Sequence, residues 1–430
     1  MSIANVLRNL AGFRKRTDGQ APDPLHLKRP RRRADRIGAD GEPRFRMLAS
    51  DRSDDHITPQ VREAFTPTQP VMSRSLLAGR LDPLRQLIEA VEDHRSHIVL
   101  YGERGIGKTS LLGVFANLAR DAEYLVIREN CGADTTFDEL FRTISAQIPL
   151  LYYGGFAPSE AQSRAGGTIA DLLSDSQVGP NQLSRIWSEI IGTRVLVILD
   201  EFDRTEQPDF DRDVVELIKN LSDSAARVQL VIAGVSRTLR TLFGHSPSIR
   251  RNITGIPLLP MDDFEVAQLV ELGERHAGLV FDPAAKARII GLAHGRPHLA
   301  RLIAHHASLR AVASGRKAVG LSDVDHSIVL ALNDMETRFS ESTVEAAQSL
   351  LKKRPDLVAS VARASLRHGG TFAVEEVVCD GLAGENLERF ISGSSTLIAP
   401  AENLSRRYSF VEEGLPAYLM LAANLTRSAA

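Results

Sequence analysis

The chain has 430 residues, 43% hydrophobic and 25% charged, enough for two or three domains around a large core. Its net charge of −2 gives the molecule as a whole no general attraction to nucleic acid, and no apolar run approaches the ~20 residues that span a bilayer. Cys131 and Cys379 stand far apart without metal-type spacing, and no long apolar core precedes a cleavage site near the start; both features predict a cytoplasmic protein with free thiols.

Charge is unevenly spread along the chain. Residues 1–50 hold 12 Lys/Arg against 5 Asp/Glu. Residues 1–16 fit a short basic amphipathic helix, with Ile3, Val6, Leu7, Leu10 and Phe13 near one face. Such a helix suits a membrane surface or a partner protein. Residues 17–70 are interrupted by Pro22, Pro24, Pro30, Pro43, Pro59, Pro67 and Pro70 and read as weakly structured, so 1–70 is expected to be a basic, largely disordered tail. Within it, Lys28-Arg29-Pro30-Arg31-Arg32-Arg33 suits a phosphate backbone or an anionic lipid; a solvated tail accounts for it equally.

A core is expected from Val71 to residue 261. Leu76-Leu77-Ala78-Gly79-Arg80 leads into an amphipathic helix, Pro83 to Asp93. The β-type run His97-Ile98-Val99-Leu100-Tyr101 follows. Next come Gly102-Glu103-Arg104-Gly105-Ile106-Gly107-Lys108-Thr109 and a helical run from Ser110 to Arg120. G-x-x-x-x-G-K-[ST] between a strand and a helix is a phosphate-binding P-loop. Gly102, Gly105 and Gly107 let the backbone turn its N–H groups inward, and the helix adds the positive end of its dipole. Lys108 is expected to reach the terminal phosphates and Thr109 to ligate Mg²⁺.

A strand at Tyr124–Glu129, a helix at Phe137–Gln147, an insertion or mobile loop over 153–180 and a helix at Asn181–Ile191 come next. The apolar run Val195 to Leu199 then ends in Asp200-Glu201-Phe202-Asp203, the pattern of a parallel strand buried on both faces. Asp200 at its C-terminal end is placed to hold the Mg²⁺ shell, and Glu201 to orient or activate an attacking water. Nothing of the form N-K-x-D is present, which favours ATP over a guanine nucleotide. Helix Asp213–Ser222 and strands Val228–Ala233 and Ile253–Leu259 complete an α/β pattern with a parallel sheet.

From 262 to 335 the pattern is helical, with Val266–His276, Pro283–Ala293, Pro297–Ala313 and Ser322–Leu332 forming an all-α lid. Residues 340–425 suggest a winged helix. Its helices fall at Pro355–His368, near Val374–Cys379 and at Glu385–Ile391, its strands at Thr371–Ala373, Leu397–Ala399 and Tyr408–Phe410, and a last helix at Leu415–Asn424. Residues 340–430 hold 9 Lys/Arg and 11 Asp/Glu, and the candidate recognition segment Glu385-Asn386-Leu387-Glu388-Arg389 is acidic. Only Arg406 and Arg407 suit phosphate contact, so this region reads as a protein-contact or autoinhibitory module. A metal site from His294, His298, His305 and His306 is disfavoured, because Gly295 and Pro297 break the helix geometry it needs.

With these motifs in this order, residues 71–425 resemble an AAA+ ATPase of the branch that contains origin-recognition initiators and STAND signalling ATPases. The resemblance implies that Leu77, Gly79 and Arg80 border the adenine and that Gly102 to Ser110 hold the phosphates. It implies that Ser236 senses the γ-phosphate and that Arg250 or Arg251 is an arginine finger acting across a nucleotide-dependent homo-oligomer. Initiators carry Gly-x-x-Arg in the lid; here Gly295-Arg296-Pro297-His298 places Pro297 and His298 at the nucleotide. The expected function is an ATP- and Mg²⁺-dependent switch controlling a partner protein or assembly. The alternative is a DNA-associated initiator or transposition-type ATPase that binds DNA through its basic tail or core. A scaffold retaining nucleotide only for stability is disfavoured by the intact Lys108, Thr109, Asp200 and Glu201.

Overall fold

Successive residues of the central strands feed two different cores, as the two-residue period of a β-strand requires. Val195, Val197 and Leu199 pack on one face of the sheet and Leu196 and Ile198 on the other. The computed structural model describes residues 57–67, 69–155, 166–174, 176–235, 249, 251–377, 384–401, 406–412 and 414–428. Within it, β1 (His97–Gly102), β2 (Leu125–Asn130), β3 (Val195–Asp200), β4 (Val228–Val235) and β5 (Ile253–Pro257) form one sheet in the order β2-β3-β4-β1-β5. All its pairings are parallel. These are the five strands expected from the sequence, β5 closing earlier, at Pro257.

Helices cover both faces. After α1 (Ile57–Phe65), α2 (Leu81–Glu92) and α3 (Lys108–Asp121) supply Leu84, Leu87, Leu111 and Phe115 to one core. On the opposite face, α4 (Phe137–Ser145), α5 (Pro180–Ser188) and α6 (Phe210–Asp223) supply Phe141, Trp187 and Leu217. The result is a mixed α/β fold of the P-loop NTPase type, with the C-terminal ends of β1, β3 and β4 at one edge, where such sheets place ligands.

The reading of 153–180 as a mobile loop is corrected for its described residues. Ile169, Leu173 and Val178 are buried in the α4–α6 core, and Thr168 bridges back to Pro149. Residues 156–165 and 175 lie outside the described residues.

Beyond the sheet, α7 (Asp263–Ala277), α8 (Pro283–Ala293), α9 (Pro297–Ala313) and α10 (Leu321–Glu336) form the helical region expected as a lid and called the lid below. The remaining helices are α11 (Glu341–Lys353), α12 (Pro355–Arg367), α13 (Gly384–Ser392) and α14 (Leu415–Ser428). Strands β8 (Thr371–Phe372), β9 (Ile398–Pro400) and β10 (Tyr408–Phe410) make a small antiparallel sheet in the order β8-β10-β9; β6 (Val280–Phe281) and β7 (Ala318–Val319) pair within the lid. Lid and C-terminal region share one continuous apolar core, running from Val266 and Ile303 to Val361 and Leu419. Helix α11 was not anticipated from the sequence. The expected helix at Val374–Cys379 is a 3-10 turn over Val374–Glu376, and Cys379 lies outside the described residues. Arg407, read as a free wing cation, makes two hydrogen bonds to the Glu376 carboxylate at 2.9 and 2.8 Å, which corrects its availability for phosphate.

Helix α1 also corrects the weakly structured reading of 17–70 at its end. Val61, Ala64 and Phe65 are buried in the lid core, and Phe65 meets Phe281 edge-on at 5.8 Å. A Cβ at Gly273 would lie 2.1 Å from the Phe65 ring, so that helical glycine is the hole for this knob. Phe65→Ala is expected to destabilise the lid by roughly 3–5 kcal/mol, seen as a lower thermal midpoint; an unchanged midpoint would mean that α1 is not anchored there.

Residues 1–56 lie outside the described residues, and with them the amphipathic start and the Lys28–Arg33 cluster.

Candidate active site

The loop after β1 is shaped by its glycines. A Cβ at Gly102 would stand 2.5 Å from the Leu258 carbonyl oxygen, so only glycine lets β1 end this close to the chain leaving β5. Gly105 (φ 72°) and Gly107 (φ 101°) take left-handed backbone, and Gly107 caps α3. Lys108 opens that helix and turns back over the loop. Its Nζ donates to the Gly102 and Glu103 carbonyl oxygens, both at 2.8 Å. Thr109 and Ser110 are half-buried beside it, and Ser110 Oγ accepts the Val71 N–H at 3.0 Å.

Residues before α2 brace this loop. The buried Arg80 guanidinium donates to the Ile106 carbonyl at 3.0 Å and to the Leu259 carbonyl at 2.9 Å. Desolvation lowers its pKa, partly opposed by the Glu265 charge. The structure therefore turns Arg80 inward as a strut between the loop and the chain after β5. Leu77 packs against the α2–α3 core. Gly79 has φ 58°, and a Cβ there would lie 2.5 Å from Glu265 Cβ, so the backbone passes directly against lid helix α7.

Asp200 and Glu201 stand at the end of β3 in unlike environments. Asp200 is buried. Its Oδ2 accepts from Arg128 Nη2 on β2 at 2.8 Å and its Oδ1 from the Glu201 N–H at 3.0 Å. Glu201 takes left-handed backbone (φ 56°), rare for a side chain of its size, and pairs with Arg204 at 2.6 Å in an exposed position. The strand thus fixes the first carboxylate and the turn aims the second outward. Among the described residues no three His, Cys, Asp or Glu side chains converge. The Thr109 hydroxyl and Asp200 carboxylate are nevertheless hard oxygen donors of the kind Mg²⁺ takes in ones and twos, keeping water for the rest.

The lid reaches the loop through residues 295–298. Gly295 (φ 73°) passes so close to Met261 that a Cβ would lie 2.4 Å from its carbonyl oxygen, and its own carbonyl accepts the Met261 N–H at 2.8 Å. A Cβ at Gly107 would sit 3.8 Å from Pro297 Cγ, and one at Gly105 3.6 Å from His298 Cβ. His298 Nδ1 pairs with the Pro67 carbonyl at 3.0 Å. Burial, with Arg338 and Arg104 nearby, lowers its pKa against the Pro67 hydrogen bond, which raises it. Arg296 ion-pairs with Glu103 of the loop and also donates to the Leu366 carbonyl of α12 at 3.2 Å. Burial lowers its pKa while Glu103 raises it.

Of the residues singled out in sequence, the loop, Leu77, Gly79, Arg80, Pro297 and His298 form one neighbourhood at the sheet edge. Arg251 is exposed just before β5; Ser236 and Arg250 lie outside the described residues. Sequence reasoning missed Arg128, which meets Asp200 only through the β2–β3 pairing, and the contact of Arg296 with Glu103. No single-sequence signal identifies the first; the second stood one residue from the position chosen in the lid.

Residues 77–233 match the family model described as an AAA ATPase domain. No curated protein matches the chain by sequence. Among solved structures, the Walker-type ATPase of Pyrococcus abyssi is similar with a TM-score of 0.50 and 16% identity, covering 84% of this chain and 99% of that one. The Cdc6p protein of Pyrobaculum aerophilum gives 0.45 and 15%, with 86% and 98% covered. The Thermotoga maritima RuvB motor gives 0.40 and 14%, with 77% and 90% covered. At 16% identity the first likeness shows the fold alone.

Proposed function

We propose that this chain binds and hydrolyses ATP with Mg²⁺, and that nucleotide state sets how the lid rests on the sheet and so controls a partner protein or assembly. One observation carries this reading: the lid segment 295–298 lies directly on the phosphate-binding loop, joined to it by the Arg296–Glu103 ion pair. On this reading Lys108 exchanges the Gly102 and Glu103 carbonyls for phosphate oxygens. The N-terminus of α9 then faces the terminal phosphate with its positive dipole end, and His298 would donate to it by gaining a proton or by giving up the Pro67 carbonyl. Bound Mg²⁺ would neutralise charge between the outer phosphates. Thr109 and Asp200 would hold it, Asp200 sharing its oxygens with Arg128. Arg250 or Arg251 would act as a finger in a nucleotide-dependent oligomer, and Ser236 as a phosphate sensor. The C-terminal helices and three-stranded sheet would serve as a winged-helix-like protein-contact module.

The test is amide hydrogen exchange across 293–300 with and without ATP. Glu103→Gln leaves the buried Arg296 without its carboxylate, costing the docked lid about 1–3 kcal/mol. Exchange there is expected to quicken even without nucleotide. Exchange unmoved by either ATP or this variant would refute the switch.

A second reading, a DNA-associated initiator or transposition-type ATPase, is favoured by the 12 Lys/Arg against 5 Asp/Glu of residues 1–50. Replacing Lys28, Arg29, Arg31, Arg32 and Arg33 by Ala is expected to flatten the salt dependence of DNA binding by as many as about 0.9 log units per lost phosphate contact. ATP turnover without DNA should hold. If the parent protein binds no DNA at low salt, this reading fails and the protein-partner switch stands.

A further inference from the structure

At the C-terminal end of α8 lies a cleft of about 370 Å³, within the size range of small-ligand sites. It is lined by Arg288, Gly291 and His294 from α8 and its end, by Arg363 and Arg367 of α12, and by Asn424 of α14. Arg363 and Arg367 are four residues apart, so they project from one face of α12. Among the described residues neither has a carboxylate partner. Arg288 pairs with Asp325 at 3.2 Å, and Asp263 is the acid acting on His294. Among the described residues cationic groups therefore outnumber acids in a concave setting, a field that attracts an anion. The same field shows on His294. Burial, with Arg363, Arg296 and Arg367 adding to it, pushes the imidazole down to about 4.

We propose that this cleft binds a small phosphorylated ligand, its phosphoryl oxygens held by the guanidinium groups of Arg363, Arg367 and Arg288. Planar guanidinium forks match phosphoryl oxygens in pairs, and a cleft of this size bounded by three helices suits a compact anion better than an extended strand. The ligand would sit against His294 (φ 44°) and Gly295 (φ 73°), the turn that delivers Arg296 to Glu103. The site is separate from the phosphate-binding loop and does not depend on the function proposed for it.

The test uses the full chain carrying Lys108→Ala, to suppress phosphate binding at the loop, titrated calorimetrically with inorganic pyrophosphate. Gly291 is exposed on α8 and a Cβ there meets nothing within 4 Å, so Gly291→Glu adds a carboxylate to the cleft without a clash. Binding is expected at one site and to weaken at least about tenfold on adding either Gly291→Glu or Arg363→Gln with Arg367→Gln. If the double arginine variant loses its thermal transition, Gly291→Glu decides alone. No pyrophosphate binding by the Lys108→Ala chain, or equal affinity with Gly291→Glu, overturns the proposal. So does a duplex DNA whose affinity falls with Gly291→Glu while that of pyrophosphate does not, since the cleft would then belong to a nucleic-acid surface. Failure of the loop assignment reads differently: Lys108→Ala would leave ATP affinity intact while the effect of Gly291→Glu on pyrophosphate persisted.

Discussion

Lys108→Ala is expected to weaken ATP binding by at least about 10²-fold. The side chain already makes two hydrogen bonds, to the Gly102 and Glu103 carbonyls, at the rim of the loop where phosphates would enter. Bonds from a charged donor contribute roughly 1.5–3 kcal/mol each, so losing two of them to phosphate oxygens removes about 3–6 kcal/mol of binding. The loop itself should survive. Its left-handed turns come from Gly105 and Gly107, and its position is braced by Arg80 at Ile106. Calorimetric titration reads the affinity, and circular dichroism with a thermal scan reads the fold. Unchanged affinity with an intact fold would remove the phosphate-binding assignment; a lost fold would show that Lys108 is structural.

What the sequence made legible follows from where its periodicity is strong. Val195 to Leu199 is apolar at every position because β3 is buried on both faces, so the strand and the acids ending it stand out. Pro283 and Pro297 each mark the first turn of a helix, and the sequence reading placed both helices with the bounds seen. Helix α11 was missed because its buried stripe is Thr343, Ala347 and Leu351, of which one alone is a strong apolar signal. Helix α1 was missed because Pro59 suggested a break, whereas a proline in the first turn has no intrahelical N–H bond to lose. Ion pairs between distant segments were not legible at all. Arg128 reaches Asp200 through the neighbouring strand, and Arg296 reaches Glu103 because Gly295 lets the lid close on the chain leaving β5. Both depend on tertiary placement, which periodicity does not encode.

Glu201→Gln is expected to leave ATP affinity near that of the parent protein and to slow turnover by at least roughly 10²-fold, the contribution of a positioned general base. In the structure Glu201 is engaged by Arg204 at 2.6 Å, which at first sight removes it from the chemistry. Both partners are about half exposed, however, and ion pairs of that kind contribute about 0–1 kcal/mol, so releasing the carboxylate costs little. Its backbone is better determined: Glu201 N–H is held by Asp200 Oδ1 at 3.0 Å, and its left-handed turn sends the side chain off the strand end. The carboxylate can therefore leave Arg204 without rebuilding the strand, as the proposed role of activating a water would require. Arg204→Ala, which frees that carboxylate, is the companion measurement, with turnover expected to stay level or rise. Full phosphate release by Glu201→Gln would exclude it as the activating base. The acid left to consider would be Asp203, whose Oδ1 already accepts the Val235 N–H at 2.6 Å and is correspondingly less free to move. Loss of turnover in Arg204→Ala would instead assign the arginine a direct part in holding the water or the phosphate, and the pair would then have to act as a unit.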